Sequence, residues 1–176
     1  MPDPSTIKRA RNDEREGKSP STQAGEFVRE EFHHIRAGKH GARSARQAIA
    51  IGLSKARRAG VKLPPPSAGR ASSKVRRQAA QDHERGHSGN GQVSGRRSHA
   101  VLGALKREGH AAASARAISR QTHAAARRRT SSERSTAAHK AVLTKGRAGL
   151  SAMGPKAART RMASPAKKDR QKVSTH

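Results

Sequence analysis

Two phenylalanines, Phe27 and Phe32, are the only aromatic side chains in this chain of 176 residues, which contains neither Trp nor Tyr. Aliphatic residues do little to make up the deficit. Hydrophobic residues are 31% of the total, and much of that is Ala, which removes little area from water. A chain so poor in large apolar groups cannot fill a core along its whole length, because the available burial does not offset the entropy of ordering the backbone. Whatever folds must gather around the few large residues, and the remainder is expected to stay disordered or to fold on a partner. Charge points the same way. Lys and Arg number 39 against 12 Asp and Glu, a formal net charge of +27. Such a chain repels itself and is drawn to polyanions.

The clearest local signal is Ser44–Gly60, SARQAIAIGLSKARRAG. Ser44 followed three residues later by Gln47 is a capping-box pattern. Ala45, Ile49, Gly52, Leu53 and Ala56 recur on one helical face, with Lys55 and Arg58 opposite and Arg57 at the flank. Gly60 suits a left-handed stop, and Pro64–Pro66 block continuation. A second helix is predicted upstream, opening at Ser19-Pro20 and ending near Gly38, with Phe27, Val28, Phe32 and Ile35 as its apolar stripe. The short connection Lys39–Arg43 makes the two antiparallel neighbours. The expected hairpin core is therefore Phe27, Val28, Phe32 and Ile35 against Ile49, Gly52, Leu53 and Ala56, with Gly52 permitting close backbone approach. Glu26, Glu30 and Glu31 either pair with Arg43, Arg46 or Arg57 or form a solvated face.

The span from about Gly17 to Leu63 resembles a group of small, basic bacterial proteins of unknown function. The resemblance rests on a basic residue, Ser, a basic residue and Gln-Ala-Ile-Ala-Ile, then Leu-Ser-Lys-Ala-Arg-Arg-Ala-Gly, present here from Arg43 to Gly60. Members are sometimes labelled DNA-binding or plasmid-stabilisation proteins. The resemblance implies a bacterial source and DNA as partner, and it identifies no site.

The expected fold class is mainly α, a small N-terminal helical hairpin followed by a largely disordered or loosely helical Ala/Arg-rich C-terminal half. Residues 1–17 read as a flexible arm with alternating charges and 18–63 as the hairpin. Residues 64–95 read as a disordered linker rich in Pro, Gly, Ser and His, in which only Val75 anchors a brief helix over 74–81. Residues 96–149 read as loosely packed basic helical segments and 150–176 as a basic tail. Helical candidates within them are Ser98–Glu108, Ala111–Arg129, a helix opened by the Thr130/Glu133 capping box and stopped at Gly146, and a last turn from Pro155. Arg43–Gly60, Gly95–Gly109 and Glu133–Gly149 each run basic-Ser, an apolar patch, Lys, then Gly, and echo one another faintly, as biased composition also would.

His83-Glu84-Arg85-Gly86-His87 satisfies the H-E-x-x-H pattern, in which two imidazoles one helical turn apart hold zinc and the Glu acts as base. Gly86 and the following Ser-Gly-Asn-Gly weaken a helix there, and no apolar residue dries the site. Among ten histidines, His83 and His87 are therefore weak metal candidates, with His33, His34 and His40 a weaker second cluster. The acids read as too scattered for a metal cage or a carboxylate pair. No Walker loop, nucleophile elbow or cysteine is present, so an enzyme, a cofactor and a small-molecule substrate are not expected.

Phosphate binding is what the charge itself supports. The near absence of aromatics disfavours base stacking, so a duplex backbone is expected ahead of single strands, and DNA ahead of RNA. The expected contacts are Arg43, Arg46, Lys55, Arg57, Arg58, Arg96, Arg97, Lys106, Arg107, Arg127, Arg128, Arg129, Lys140, Lys145, Arg159, Arg161, Lys167 and Lys168. Ser164-Pro165-Ala166-Lys167 resembles an element of linker-histone tails. Alternatives are an RNA- or ribosome-associated protein, and a protein-interaction or stress protein built on the hairpin. Self-association would stabilise so small a core. No apolar run is long enough for a membrane span, and a cytoplasmic, nucleoid location is expected.

Overall fold

The computed structural model describes residues 2–88 and 94–163. Among these, seven α-helices and one 3-10 turn account for the regular structure, with no strand. They are α1 Pro4–Arg15, α2 Pro20–Arg36, α3 Ala45–Arg58, α4 Ser73–His87, α5 Gly95–Lys106, the 3-10 turn Ala111–Ala113, α6 Ala115–Arg127 and α7 Ser131–Ala163. Residues 1–124 form one compact unit and 125–176 another.

The α2–α3 hairpin forms where its capping residues place it. Ser19 precedes Pro20 as N-cap of α2, and Gly38 adopts φ 72° just past its end. Ser44 Oγ accepts from Gln47 N at 3.2 Å, while Gln47 Oε1 accepts from Arg43 N at 2.8 Å. Gly60 turns the chain at φ 92°, which an L side chain tolerates poorly. Each phenylalanine organises its own small core. Phe27, 1% exposed, packs with Ala10, Ala24, Ala56 and Val61, joined at the edge by Ile7, Leu53 and Leu63. Phe32 and the fully buried Ile35 pack with Ala42, Ala45, Ala48, Ala112 and Ala113, edged by Val28, Ile49, Ala117 and Ile118. Between the two cores the helices touch backbone to backbone. A Cβ on Gly52 would fall 2.7 Å from Val28 Cα.

Several elements are more ordered than the sequence implies. Residues 4–15 are a helix rather than an arm, with Thr6, Ala10 and Asp13 buried. Ile7 and Ala10, spaced one turn apart, reach the Phe27 core. Within 64–95, Ser73–His87 is a helix packed on α3, with Ala79 and Asp82 buried. Ser72 Oγ caps it by accepting from Val75 N. Its docking depends on Gly86, where a Cβ would collide with the carbonyl oxygen of Arg57. A glycine that reads locally as a helix weakener is the contact that lets α4 cross the end of α3. The Ser-Gly-Asn-Gly spacer falls largely on 89–93, outside the described residues.

Among the described residues the C-terminal half is largely helical, not disordered. The stretch 105–118 belongs to the hairpin's own fold. Gly41 N donates to Leu105 O (2.9 Å), Ala42 N to Gly109 O (3.1 Å), and Arg36 Nε to Ala113 O (3.0 Å). A Cβ at Gly41 would overlap the Glu108 carbonyl. The predicted helix 111–129 is divided by Ser114, whose extended backbone and hydroxyl cap α6 by accepting from Ala117 N. In the second unit, Thr130 and Glu133 form a reciprocal box. Thr130 N donates to Glu133 Oε2 (2.8 Å), and Glu133 N donates to Thr130 Oγ1 (3.2 Å). Gly146 interrupts α7 at φ 67°, ψ 166°, and helix resumes after it. Pro155 lies inside that continuation rather than opening a new turn. The basic tail after Ala163 is outside the described residues.

Two glycines of the hairpin should respond oppositely to alanine. Gly25, inside α2, faces open space, so Gly25→Ala should stabilise by about 0.5–1 kcal/mol through helix propensity. Gly52→Ala meets Val28 backbone and should destabilise by roughly 1–3 kcal/mol through overpacking. Thermal unfolding followed by circular dichroism reads both. Stabilisation by Gly52→Ala would refute the close crossing.

Candidate nucleic-acid interface

Folding sorts the charged residues into two populations. Most of the described acids are drawn inward or into pairs, Glu84 on the exposed side of α4 being an exception. Glu26 accepts from Arg9 and Arg29, and Asp13 pairs with Lys18 at 2.7 Å. Asp82, 3% exposed, accepts from Ser54 Oγ and lies 3.9 Å from Arg58 Nε. Glu133 is tied into its capping box. Lys18, held between Asp13 and Glu16, has its pKa raised above the ordinary lysine value by those hydrogen bonds. The outward surface is correspondingly left to arginine and lysine.

Most of the expected phosphate contacts are exposed. Arg43, Arg46, Arg58, Arg96, Arg97, Lys106, Arg107, Arg127, Arg128, Arg129, Lys140, Lys145 and Arg159 all lie on the surface. Lys145 Nζ also rests 3.1 Å from Met153 Sδ. Two residues of the set are structural instead. Arg57 is 8% exposed and donates to the carbonyls of Leu63 and Pro64, both at 3.2 Å. It clamps the chain as it leaves α3. Burial pulls its pKa below the ordinary arginine value, and Asp82 acts in the opposite direction. Lys55 turns back into the protein, its Nζ 2.6 Å from Glu31 Oε2. Neither faces solvent as a phosphate ligand must. The side chain of Arg161, together with Ser164–Lys167 and Lys168, lies outside the described residues.

One part of the cationic surface is concave. A cleft of about 400 Å³ lies at the start of α3, floored by Ala45, Ala111, Ala112, Ala117 and Ala124 and rimmed by Arg43, Arg46 and Arg120, with Ser44 and Gln121. No acid lines it. Arg43 and Arg46 add positive charge at the helix end where the macrodipole already places it. That arrangement opposes folding unless an anion relieves it, and the N-terminus of a helix suits phosphate. Arg120 was not among the expected contacts. Nothing in its local sequence separates it from its basic neighbours, and only the docking of 111–118 on the hairpin brings it to Arg43. α7 offers a different surface, with nearly every described side chain of Ser131–Ala163 exposed.

The H-E-x-x-H residues do lie on a helix, contrary to the weakening expected from Gly86. His83 and His87 stack at 4.3 Å between ring centroids, and His87 Nδ1 donates to the His83 carbonyl at 2.8 Å. Acids that read as scattered for a metal cage or a carboxylate pair are in part gathered by the fold. Glu30, Glu31, His34 and His40 are buried together, with Asp3 beside them. Glu31 is fully buried, between Lys55 and His40, whose Nε2 lies 3.2 Å from Oε1. Neither contact has hydrogen-bond geometry, so both carboxylate oxygens of Glu31 are buried without a hydrogen-bond partner. Asp3 has its pKa lowered from the usual carboxylate value, first by its hydrogen bond with His34. Neither alternative foreseen for the three glutamates therefore describes Glu30 and Glu31. They sit on the inner side of α2, and Arg43, Arg46 and Arg57 are not their partners. His33, by contrast, is exposed.

Residues 17–67 match a family of unknown function (DUF6496). The match covers the two helices of the hairpin and the Arg57 clamp, and stops short of α4 and everything after it. No curated protein matches the chain, and no solved structure does. Among the described residues, no helix is long and apolar enough to cross a membrane.

The two classes of cation should separate by stability. Lys55→Ala leaves Glu31 buried without its ammonium and should cost about 3–5 kcal/mol. Arg46→Ala, on the surface, should stay within about 0.5 kcal/mol of the parent. Urea unfolding of both variants checks this, and equal losses would mean that Lys55 is not structural.

Proposed function

We propose that this chain is a binding protein rather than an enzyme, and that its ligand is the phosphate backbone of duplex nucleic acid, DNA ahead of RNA. The observation that carries the reading is the sorting of charge: most of the described acids buried or paired, exposed arginines and lysines left over, and three arginines around a cleft at a helix N-terminus that no acid lines. Guanidinium groups grip phosphate bidentately, and neutralising several phosphates releases their counterions. With only two aromatic residues, both buried in the hairpin, there is no exposed aromatic platform for stacking unpaired bases. Contact therefore runs along the backbone and is largely independent of sequence. A nucleoid-associated or plasmid-maintenance role in bacterial cytoplasm accords with this chemistry and with the resemblance carried by Arg43–Gly60.

A second reading, in which a protein partner or second copy covers part of the surface, is favoured by one observation. Val101 and Leu102 on α5 are 59% and 41% exposed, and Leu143 on α7 is 87% exposed. Light scattering across a concentration series tests self-association directly.

Binding of random-sequence duplex DNA should weaken by roughly a thousandfold between about 50 and 200 mM salt, as for a protein neutralising about six phosphates. Fluorescence anisotropy measures the slope of log K against log salt, and a slope near zero removes the electrostatic reading. Replacing Arg43, Arg46 and Arg120 together by Gln should make that slope shallower by about 0.9 for each phosphate no longer neutralised. Duplex RNA and single-stranded DNA of equal length rank the alternatives.

A further inference from the structure

We propose that Glu31, His34 and His40 form a buried binding site for one divalent transition-metal ion of the zinc type, set within the hairpin. One ligand atom from each of the three lies within 4.8 Å of the other two, and all three residues are buried. Two imidazoles and a carboxylate are a donor set that suits zinc and its neighbours.

The hydrogen bonding around His40 calls for a cation. Its Nδ1 lies 3.1 Å from the Gly41 carbonyl, which only accepts, so Nδ1 carries a proton. In the neutral ring Nε2 then presents a bare lone pair, and it faces Glu31 Oε1 at 3.2 Å. Two acceptors at that distance repel unless a positive species lies between them, either a second ring proton or a metal ion. An imidazole with one nitrogen donating to a backbone carbonyl is the arrangement that orients the other towards a metal. Glu31 meets the same need from its side. It is 0% exposed, and neither of its oxygens has a hydrogen-bond partner. Lys55 is close to Oε2, which leaves Oε1 for the ion.

Charge in the neighbourhood favours a divalent species. Asp3 Oδ2 and Glu30 Oε1 lie 3.3 and 3.8 Å from His34 Nε2, and Glu30 Oε2 is buried without a hydrogen bond. Three carboxyl groups, of Asp3, Glu30 and Glu31, gather here against the single lysine Lys55. In a protein of net charge +27, this is a concentrated acidic interior. An ion here also serves the fold. It would tie the C-terminal half of α2 to the loop that residues 105–109 grip, in a domain whose cores are built mainly from alanine.

The test uses the untagged full-length chain, stripped with EDTA and titrated with Zn²⁺ by calorimetry and with Co²⁺ by visible absorbance. The expected result is one saturable equivalent, a raised melting temperature on addition of zinc, and cobalt d–d bands. His40→Gln and Glu31→Gln should each weaken Zn²⁺ binding by more than about tenfold. The double variant His83→Gln/His87→Gln should retain the equivalent. Where a buried substitution prevents folding, zinc-edge X-ray absorption of the otherwise intact His83→Gln/His87→Gln protein decides, with two imidazole ligands expected. Absence of a saturable equivalent, unchanged affinity in His40→Gln and Glu31→Gln, loss confined to the His83/His87 variant, or a zinc shell without imidazole would each overturn the proposal.

Discussion

The first unit depends on the crossing of α2 over α3 at Gly52 and Val28. Only a glycine lets the backbones approach this closely, and the approach allows Phe27 and Phe32 to serve two cores on either side of it. With alanine supplying most of the remaining buried surface, neither phenylalanine alone removes enough area from water to hold an assembly of this length. α1 and the chain leaving α3 close over Phe27, while residues 112–118 close over Phe32. Each added element is short and weakly apolar, and each is placed by a surface the hairpin already presents. The same economy recurs where α4 crosses the end of α3, because Gly86 lets it sit against the Arg57 carbonyl.

Electrostatics follows from that geometry. A buried charge persists only when paired, and the interior beside Ile35 contains carboxylates, imidazoles and one lysine in place of a wider apolar core. Lys55 and Arg57 are turned inward to serve it and the chain exit. The cationic face of α3 is thus thinner than its composition implies. Its outer end, at Arg43 and Arg46, is joined by Arg120 from α6 to give a cleft that no single segment contains.

Much of the hairpin was legible in the sequence because its signals are local. Ser44 with Gln47, Pro20 after Ser19, and Gly38 and Gly60 are capping chemistry, decided within one turn of helix. The Thr130/Glu133 box and the break at Gly146 are of the same kind. What was not legible depended on distant partners. α1 reads as a charged arm because Ile7 and Ala10 are the only apolar side chains it adds to the Phe27 core, and α4 reads as linker because its anchor is a glycine rather than an apolar stripe. The roles of Lys55 and Arg57 were hidden for a related reason, since a basic residue on a helix looks the same whether it meets water or a buried glutamate.

By itself, then, the sequence determined that the chain is helical, that two phenylalanine-bearing turns and a capped basic helix form its hairpin, and that the molecule carries a large positive charge. These are set by short-range backbone preferences and by composition, which need no knowledge of packing. The tertiary structure decided which charges remain outside. Burial, and the requirement that buried charge be compensated, are properties of neighbours far apart in the chain. Only the folded arrangement could bring Arg120 to Arg43 and enclose Glu31 between Lys55 and His40.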